Sequence, residues 1–458
     1  MFLVDVSPAF TYPRNSRDPI HHWIGFSDEE RKIVDSAPVQ RLRHIHQLAM
    51  TSLVYPGATH MRFEHSLGVM HLASQIYDTV TDSEHVSEDV RRLLPEIHEP
   101  SKLMMWRGIL RMAALCHDIG HIAYSHAAEK KLLPHGWTHE RITYQLITSP
   151  EMKPVWDDLD PYMRPEQVAR IAIGAEELLR FAPRATPFTT WEALLSEIIV
   201  DDFFGADRID FLLRDSYHAG VAYGQFDHFR LIESMRILPA APEGDAAESE
   251  DDSEPREPRL GIVDGGRLAA ESMVLARFFT YSQVYYQKTR IIYDAHLSDF
   301  LKAWLPDGKF PIDVKSFLRI TDNEVMAALL VASKRPSAPG HEAAKAIVTR
   351  NHFRVLYEPK PADLAFERPA HQVYLKARRK FGAANVKYEE RTVKISDLDY
   401  PVEMADHKTA AATSLSVVKV EPKIAAYVFI NPNLRTEARE WLNKNRDSLI
   451  TKKRGKDQ

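Results

Sequence analysis

The sequence predicts a mainly α-helical protein with a smaller α/β appendage at its C-terminal end. Three observations predict it. Apolar residues recur at helical spacing in the first half, as at Leu67, Met70, Ala73, Ile76 and Val80. No strong alternation of apolar and polar residues precedes about residue 260. Beyond Pro306 the texture changes, and short candidate strands alternate with turns and helices.

Residues 1–26 read as an irregular lead-in with short strand-like pieces. Ser27-Asp28-Glu29-Glu30 then starts a helix, with Ser27 as cap and Glu30 reaching back. Two short helical segments follow, broken near Pro38, and Tyr55-Pro56-Gly57 signals a turn. A helix is expected from His65 to about Val80. A second, over residues 102–116, is apolar enough to be buried and ends in His117-Asp118-Ile119-Gly120-His121. Further helices are expected near 139–148, 165–181, 191–203 and 206–216. Residues 240–258 are acidic and nearly devoid of apolar bulk, so they cannot bury enough surface to fold and are expected to be a solvated, disordered insertion. A short strand at 259–265 and one or two long helices over 267–304 complete a first domain, residues 1–305. Residues 306–458 form the α/β region. Its candidate strands lie at 353–357, 392–395, 416–420 and 425–430, with a last helix at about 434–444 and a basic tail from Lys452 to Lys456. No internal repeat is present.

The bulk properties exclude several classes. The net charge of -5 provides no global basic field to attract nucleic acid, although a local basic groove stays open. The one cysteine, Cys116, rules out a disulfide within the chain and a cysteine-rich zinc site. No stretch reaches the apolar length that spans a bilayer, and the first ten residues lack the basic start and long apolar run of a secretion signal. A soluble, cytoplasmic protein is expected.

Histidine is the informative residue type, with 21 copies and a concentration between His44 and His139. Three places form a candidate metal set: His65 in Arg62-Phe63-Glu64-His65, the pair His117-Asp118, and Asp207. Together they offer two nitrogens and two carboxylates to one divalent ion, a mixture suited to Mn, Fe, Mg, Zn or Ni. Such an ion lowers the pKa of a bound water and neutralises a phosphoryl oxygen. Each piece also has an ordinary explanation. A lone His on an apolar helix is commonly a packing residue, and Asp207 can be a helix cap or the partner of Arg208. His117-Asp118 gains weight from its place at the end of a buried helix, where an unpartnered Asp is costly.

Read together, these runs resemble the HD-domain superfamily, in particular its deoxynucleoside triphosphate (dNTP) triphosphohydrolases. The resemblance is carried by Asp18-Pro19-Ile20-His21, Gln40 through Leu48, Tyr55 through Val69, Cys116 through His121 with Ser125-His126, Trp137-Thr138-His139-Glu140, Asp207 through Asp215, and Val284 through Thr289. These blocks fall in the family's order over roughly residues 15–305; the C-terminal third resembles the family only loosely. The resemblance implies an HD-domain helical core, a divalent metal on His65, His117, Asp118 and Asp207, and catalytic roles for His121, His126, His139 and Glu140. His126 is implied as the acid that protonates the leaving 5′-oxygen. Arg62 and Arg208 are implied as phosphate clamps; salt bridges to Glu64 and Asp210 are the plainer alternative. Gln47 and Leu48 match sugar-reading positions, and Asp215, Arg277 and Tyr285 match further substrate contacts.

Two departures stand out. A tyrosine often found four residues after the metal Asp is here Phe211, and Tyr286 replaces a base-contacting Gln, which leaves base preference open. Asp35, Gln40 and Arg43 match a guanine-nucleotide activator site, yet residues 261–265 lack the basic residues that accompany it, and Arg43 reads equally as a helix-packing residue. The resemblance implies a homo-oligomer (dimer, tetramer or hexamer), a nucleotide substrate and no membrane. Two other functions compete. One is an HD-type nuclease or phosphodiesterase acting on single-stranded nucleic acid or a signalling nucleotide. The other is a non-catalytic nucleotide-binding scaffold, although a scaffold need not keep four ligands.

Overall fold

Residues 62–80 pack apolar side chains around nearly their whole circumference, which a helix tolerates only in an interior. They form the helix Arg62–Val80, with His65, Val69, Met70, Leu72, Ala73, Ile76 and Val80 fully buried. The computed structural model describes residues 12–125, 129–159, 163–239, 257–393, 400–406, 408–412 and 423–450. Of the acidic insertion expected at 240–258, residues 240–256 lie outside the described residues, as do the candidate strand at 416–420 and the basic tail, while Pro258 already begins a strand.

Three helices build the frame. Arg62–Val80 packs on Pro100–Cys116 and on Ala206–Ala219. Pro165–Ile173 closes the back of Pro100–Cys116 and also meets His139–Ile147. Ile109, Leu110, Ala113, Ala114 and Leu115 are all sealed from solvent, and each large aliphatic side chain contributes about 2 kcal/mol by burial. Cys116 ends this helix, and burial pushes its thiol up to about 12. The helix expected over 165–181 is two, Pro165–Ile173 and Ala175–Phe181, because Gly174 turns the chain at φ +83°.

Ahead of the frame, Arg14–Asp18 and His22–Phe26 form an antiparallel hairpin. The Asp18 carboxylate shapes its turn by accepting the N–H groups of Ile20 (2.8 Å) and His21 (2.9 Å). Helix Asp28–Val34 then starts on the expected reciprocal cap between Ser27 and Glu30. Three strands escaped the periodicity: Met235–Pro239, which pairs antiparallel with Pro258–Val263; Pro401–Glu403, which runs parallel to Pro258–Val263; and Thr409–Ala411, which pairs antiparallel with Pro401–Glu403.

The stretch expected as one or two long helices is two, Arg267–Thr280 and Lys288–Trp304, joined through a π-helical turn at Tyr281–Tyr285. Beyond them, Phe310, Phe317, Val325, Leu329 and Ile347 join the main core. A second apolar cluster lies further on. There the three-stranded antiparallel sheet of Arg354–Tyr357, Lys423–Ile430 and Val386–Val393 packs on helices Pro369–Phe381 and Arg435–Leu449. The architecture is mainly α, with the smaller sheet-containing region at its C-terminal end.

Candidate metal centre

The frame brings together four side chains from three distant stretches of the chain. His65 lies one turn into its helix, His117 and Asp118 directly follow Cys116, and Asp207 lies in the first turn of Ala206–Ala219. Asp207 Oδ1 is 3.0 Å from His65 Nε2 and 3.6 Å from His117 Nε2. Asp118 Oδ1 is 3.3 Å from His117 Nε2, and Asp118 Oδ2 is 3.8 Å from His65 Nε2. Asp207 is the most exposed of the four, with 26% of its side chain open.

The surroundings fit a divalent cation. His117 Nδ1 donates to the Ala114 carbonyl (2.8 Å), which leaves Nε2 as the acceptor nitrogen, and that atom is buried without a hydrogen-bond partner. His65 Nδ1 lies 2.8 Å from Asp210 Oδ2, so its Nε2 also faces the centre. An imidazole tied back to a carboxylate or carbonyl is the usual support of a metal ligand. Burial by itself works against charge on His65, but its hydrogen bonds to Asp207 and Asp210 overcome it and push the imidazole up to about 10. Burial likewise opposes charge on Asp118, yet Arg62, His117 and His121 hold its carboxyl well below the ordinary range. A divalent ion held there would take the place of a proton on the imidazole.

Asp210 was read from sequence only as a salt-bridge partner. It is fully buried and accepts from four donors: His65 Nδ1, His21 Nε2 (2.6 Å), Arg214 Nε (2.8 Å) and Arg214 Nη2 (2.9 Å). Arg214 Nη1 continues to Asp18 Oδ2 (2.8 Å), so the amino-terminal hairpin is wired to the candidate ligands. Gly68 is what lets this network sit against the helix. A Cβ there would lie 2.0 Å from Asp210 Oδ1 and 2.5 Å from Arg214 Nη2.

On one side of the ligands, His121 Nε2 is 3.1 Å from Asp118 Oδ1, and its ring stacks on His139 with centroids 3.9 Å apart. His139 takes a second carboxylate that sequence reasoning missed. Glu129 Oε1 accepts its backbone N–H and lies 2.9 Å from its Nδ1, while Glu140 Oε1 is 3.2 Å from Nε2. Burial opposes charge on His139, but Glu129 and Glu140 prevail and push it up to about 9. Arg62 donates to Asp118 and to Ser125 Oγ, not to Glu64. Arg208 pairs with Asp202, not Asp210, and donates to the Val200 carbonyl (3.1 Å). Arg277 joins it by donating to the Asp202 carbonyl (2.7 Å). His126 lies outside the described residues.

On another side, Gln47 and Leu48 sit in the strap that pairs His46 with Met61. Gln47 Oε1 is buried without a hydrogen-bond partner, and Leu48 packs with Ala58 and Val284. Tyr285 donates to Asp215, whose other oxygen accepts from His60 Nε2 (2.7 Å). Tyr285 is thus a polar contact of Asp215 as well as a packing residue beside Leu48. Tyr286 donates its hydroxyl to the Thr392 carbonyl (3.2 Å). Asp35, Gln40 and Arg43 lie together at a surface corner: Asp35 pairs with Arg31, Gln40 Nε2 donates to the Val34 carbonyl, and Gln40 Oε1 accepts from Arg43. Arg43 also lies over the Phe63 ring at 3.5 Å, a packing contact.

Residues 62–172, which include three of these four candidate ligands, match the family model of the HD domain. The chain thus carries an HD domain over these residues. It is 32% identical over 321 residues to the uncharacterized protein MJ1154 of Methanocaldococcus jannaschii, covering 68% of this chain and 56% of the relative. It is 27% identical over 428 residues to the deoxynucleoside triphosphate triphosphohydrolase SAMHD1 of Mus musculus, covering 84% of this chain and 61% of the relative. The chain thus covers less than two thirds of either curated relative's length. Among solved structures, a hypothetical protein from Aquifex aeolicus superposes with a TM-score of 0.73 at 28% identity, over 94% of this chain and 99% of that one.

Proposed function

We propose that this chain is a metal-dependent phosphohydrolase that converts a dNTP and water to a deoxynucleoside and inorganic triphosphate. The observation that carries the reading is the pair of imidazoles, each anchored through Nδ1, whose Nε2 atoms face Asp118 and Asp207. A divalent ion on His65, His117, Asp118 and Asp207 supplies charge neutralisation at a phosphoryl oxygen and a water of lowered pKa. Mn, Fe, Mg, Zn and Ni all suit the donor set.

The remaining groups divide the substrate among them. Arg62 and Arg208 carry planar donor sets that suit phosphate oxygens, and each exchanges a carboxylate for a phosphate when substrate enters. His121, His139 and Glu140 line the phosphate side, and His126 gives the proton to the leaving 5′-oxygen. Gln47 offers its unpartnered buried oxygen to a 3′-hydroxyl, Leu48 crowds the 2′ position, and Asp215 with Tyr285 closes the sugar end. Arg277 approaches from beside Arg208. Asp35, Gln40 and Arg43 are the candidate activator site, and residues 1–305 the phosphohydrolase unit. A homo-oligomer acting in the cytoplasm fits this reading; no helix among the described residues is long and apolar enough to cross a membrane. Similarity to a dNTP triphosphohydrolase supports the substrate class.

The test is product identity. Purified protein is incubated with Mn²⁺ and each dNTP, and separately with single-stranded DNA. Inorganic triphosphate with deoxynucleoside supports the proposal. Mononucleotides from DNA, with dNTPs untouched, overturn it in favour of a nuclease.

A further inference from the structure

Asp322 belongs to none of the runs that define the site, yet both of its oxygens reach into it. It opens helix Asp322–Lys334 and is 2% exposed. Burying a carboxylate is costly unless donors surround it. Here the donors come from two separate segments. Oδ1 accepts the Tyr124 N–H at 2.6 Å, and Oδ2 accepts the His46 N–H at 2.8 Å and lies 2.7 Å from His46 Nδ1.

A helix-capping role does not explain this. The helix is already capped by Thr321, which accepts from the Asn323 N–H, and by Glu324, which reaches back to the Thr321 N–H. The carboxylate of Asp322 points away from its own helix.

Both segments it grips matter to the centre. Tyr124 and Ser125 are consecutive non-glycine residues at φ +54° and +53°, a left-handed pair that persists only when its surroundings fix it. Ser125 Oγ, at the end of that turn, accepts from Arg62 and lies 3.0 Å from His121 Nδ1. His46 precedes Gln47 and Leu48, and its ring lies parallel to that of Tyr124 at 6.0 Å. A second tie runs alongside: Arg41 donates to the His121 carbonyl (2.8 Å) and to the Ile320 carbonyl (2.7 Å).

We propose that Asp322 is a positioning residue: it holds the 122–125 turn and the 45–48 strap in fixed relation, and so aims Ser125, His121 and Arg62 at the phosphates and Gln47 at the sugar. The inference rests on the proposed phosphohydrolase reading, but its test is arranged to stand apart from it. Misplacing such groups by about 1 Å costs on the order of 100-fold in rate.

Full-length wild type, Asp322→Ala and Asp322→Asn are loaded with Mn²⁺ and compared in metal content, affinity for inorganic tripolyphosphate, and kcat and KM for dNTPs. Asp322→Ala is expected to keep its manganese, bind tripolyphosphate about tenfold more weakly and lose about 100-fold in kcat. Asp322→Asn, which keeps the shape and one acceptor oxygen, falls between and covers the case in which the alanine variant does not fold. A lower melting temperature with unchanged tripolyphosphate affinity and kcat overturns the inference and leaves Asp322 a stabilising residue only. If wild type hydrolyses no dNTP, the substrate reading fails, and the tripolyphosphate comparison still decides the role of Asp322.

Discussion

Around His65 the buried interior is polar, while around Val428 it is almost wholly apolar. The first region draws His21, His65, His117, Asp118, Asp207, Asp210 and Arg214 into one network, and each depends on partners from other elements. The second follows simple alternation on one strand. Ala426, Val428 and Ile430 face helices Pro369–Phe381 and Arg435–Leu449, while Tyr427 and Phe429 face Ile291, Ile292 and Ala295. Apolar packing asks only for the right size and pattern, whereas a polar interior fails when one member is lost. Changes in the first region are therefore expected to alter chemistry, and changes in the second to alter stability alone.

The largest expected effect breaks the polar region outright. His117→Ala or Asp207→Ala should lose bound metal and at least about a thousandfold in turnover while far-UV circular dichroism stays the same. Normal turnover by either variant ends the site assignment. Asp210→Asn should lower metal affinity by about 10- to 100-fold in a titration with Mn²⁺, because His65 loses its carboxylate support. Gly68→Ala forces a methyl into Asp210 and Arg214; it should cost about 3 kcal/mol in urea unfolding and weaken metal binding with it.

Ile430→Ala sharpens the contrast from the other side. It should cost about 2 kcal/mol by the same unfolding measurement, with metal affinity unchanged in the folded protein. A loss of metal would show that the two regions are coupled.

The smallest effect is a pH dependence outside the centre. Burial raises the Glu197 carboxyl to about 7 from 4.5, against the pull of the Leu260 N–H and Arg259. The folded chain therefore binds this proton more tightly than the unfolded chain between those values, so the stability it contributes falls as pH rises through that window. Glu197→Gln removes the dependence. It should stabilise the protein by about 1 kcal/mol at pH 8, with no gain near pH 4.5, as read from melting curves.

The same contrast explains what the sequence shows. The helices around the centre, the four candidate ligands and the strand at 425–430 are legible because period and motif are local properties. Glu129 and Asp210 are not, since a carboxylate beside a motif looks the same whether it faces water or an imidazole. Asp322 lies 276 residues from His46 and gives no local sign of the contact. Strand Met235–Pro239 escapes because five residues flanked by an acidic stretch show no alternation. The change of texture expected at Pro306 falls later in the structure: residues 314–348 are still helical and Phe317, Val325 and Leu329 join the main core, because an amphipathic helix does not announce which core it joins.

The wiring of Asp210 to His65 also has a consequence in time. A ribosome that has released the chain only as far as residue 172 has delivered His65, His117 and Asp118 but neither Asp207 nor the carboxylate that steadies the first imidazole. The nascent chain carries three of the four candidate ligands, and the turn at Tyr124 waits longer still, until residue 322 emerges. The candidate ligands and the carboxylate that steadies His65 come together only after residues 207–210 have left the ribosome.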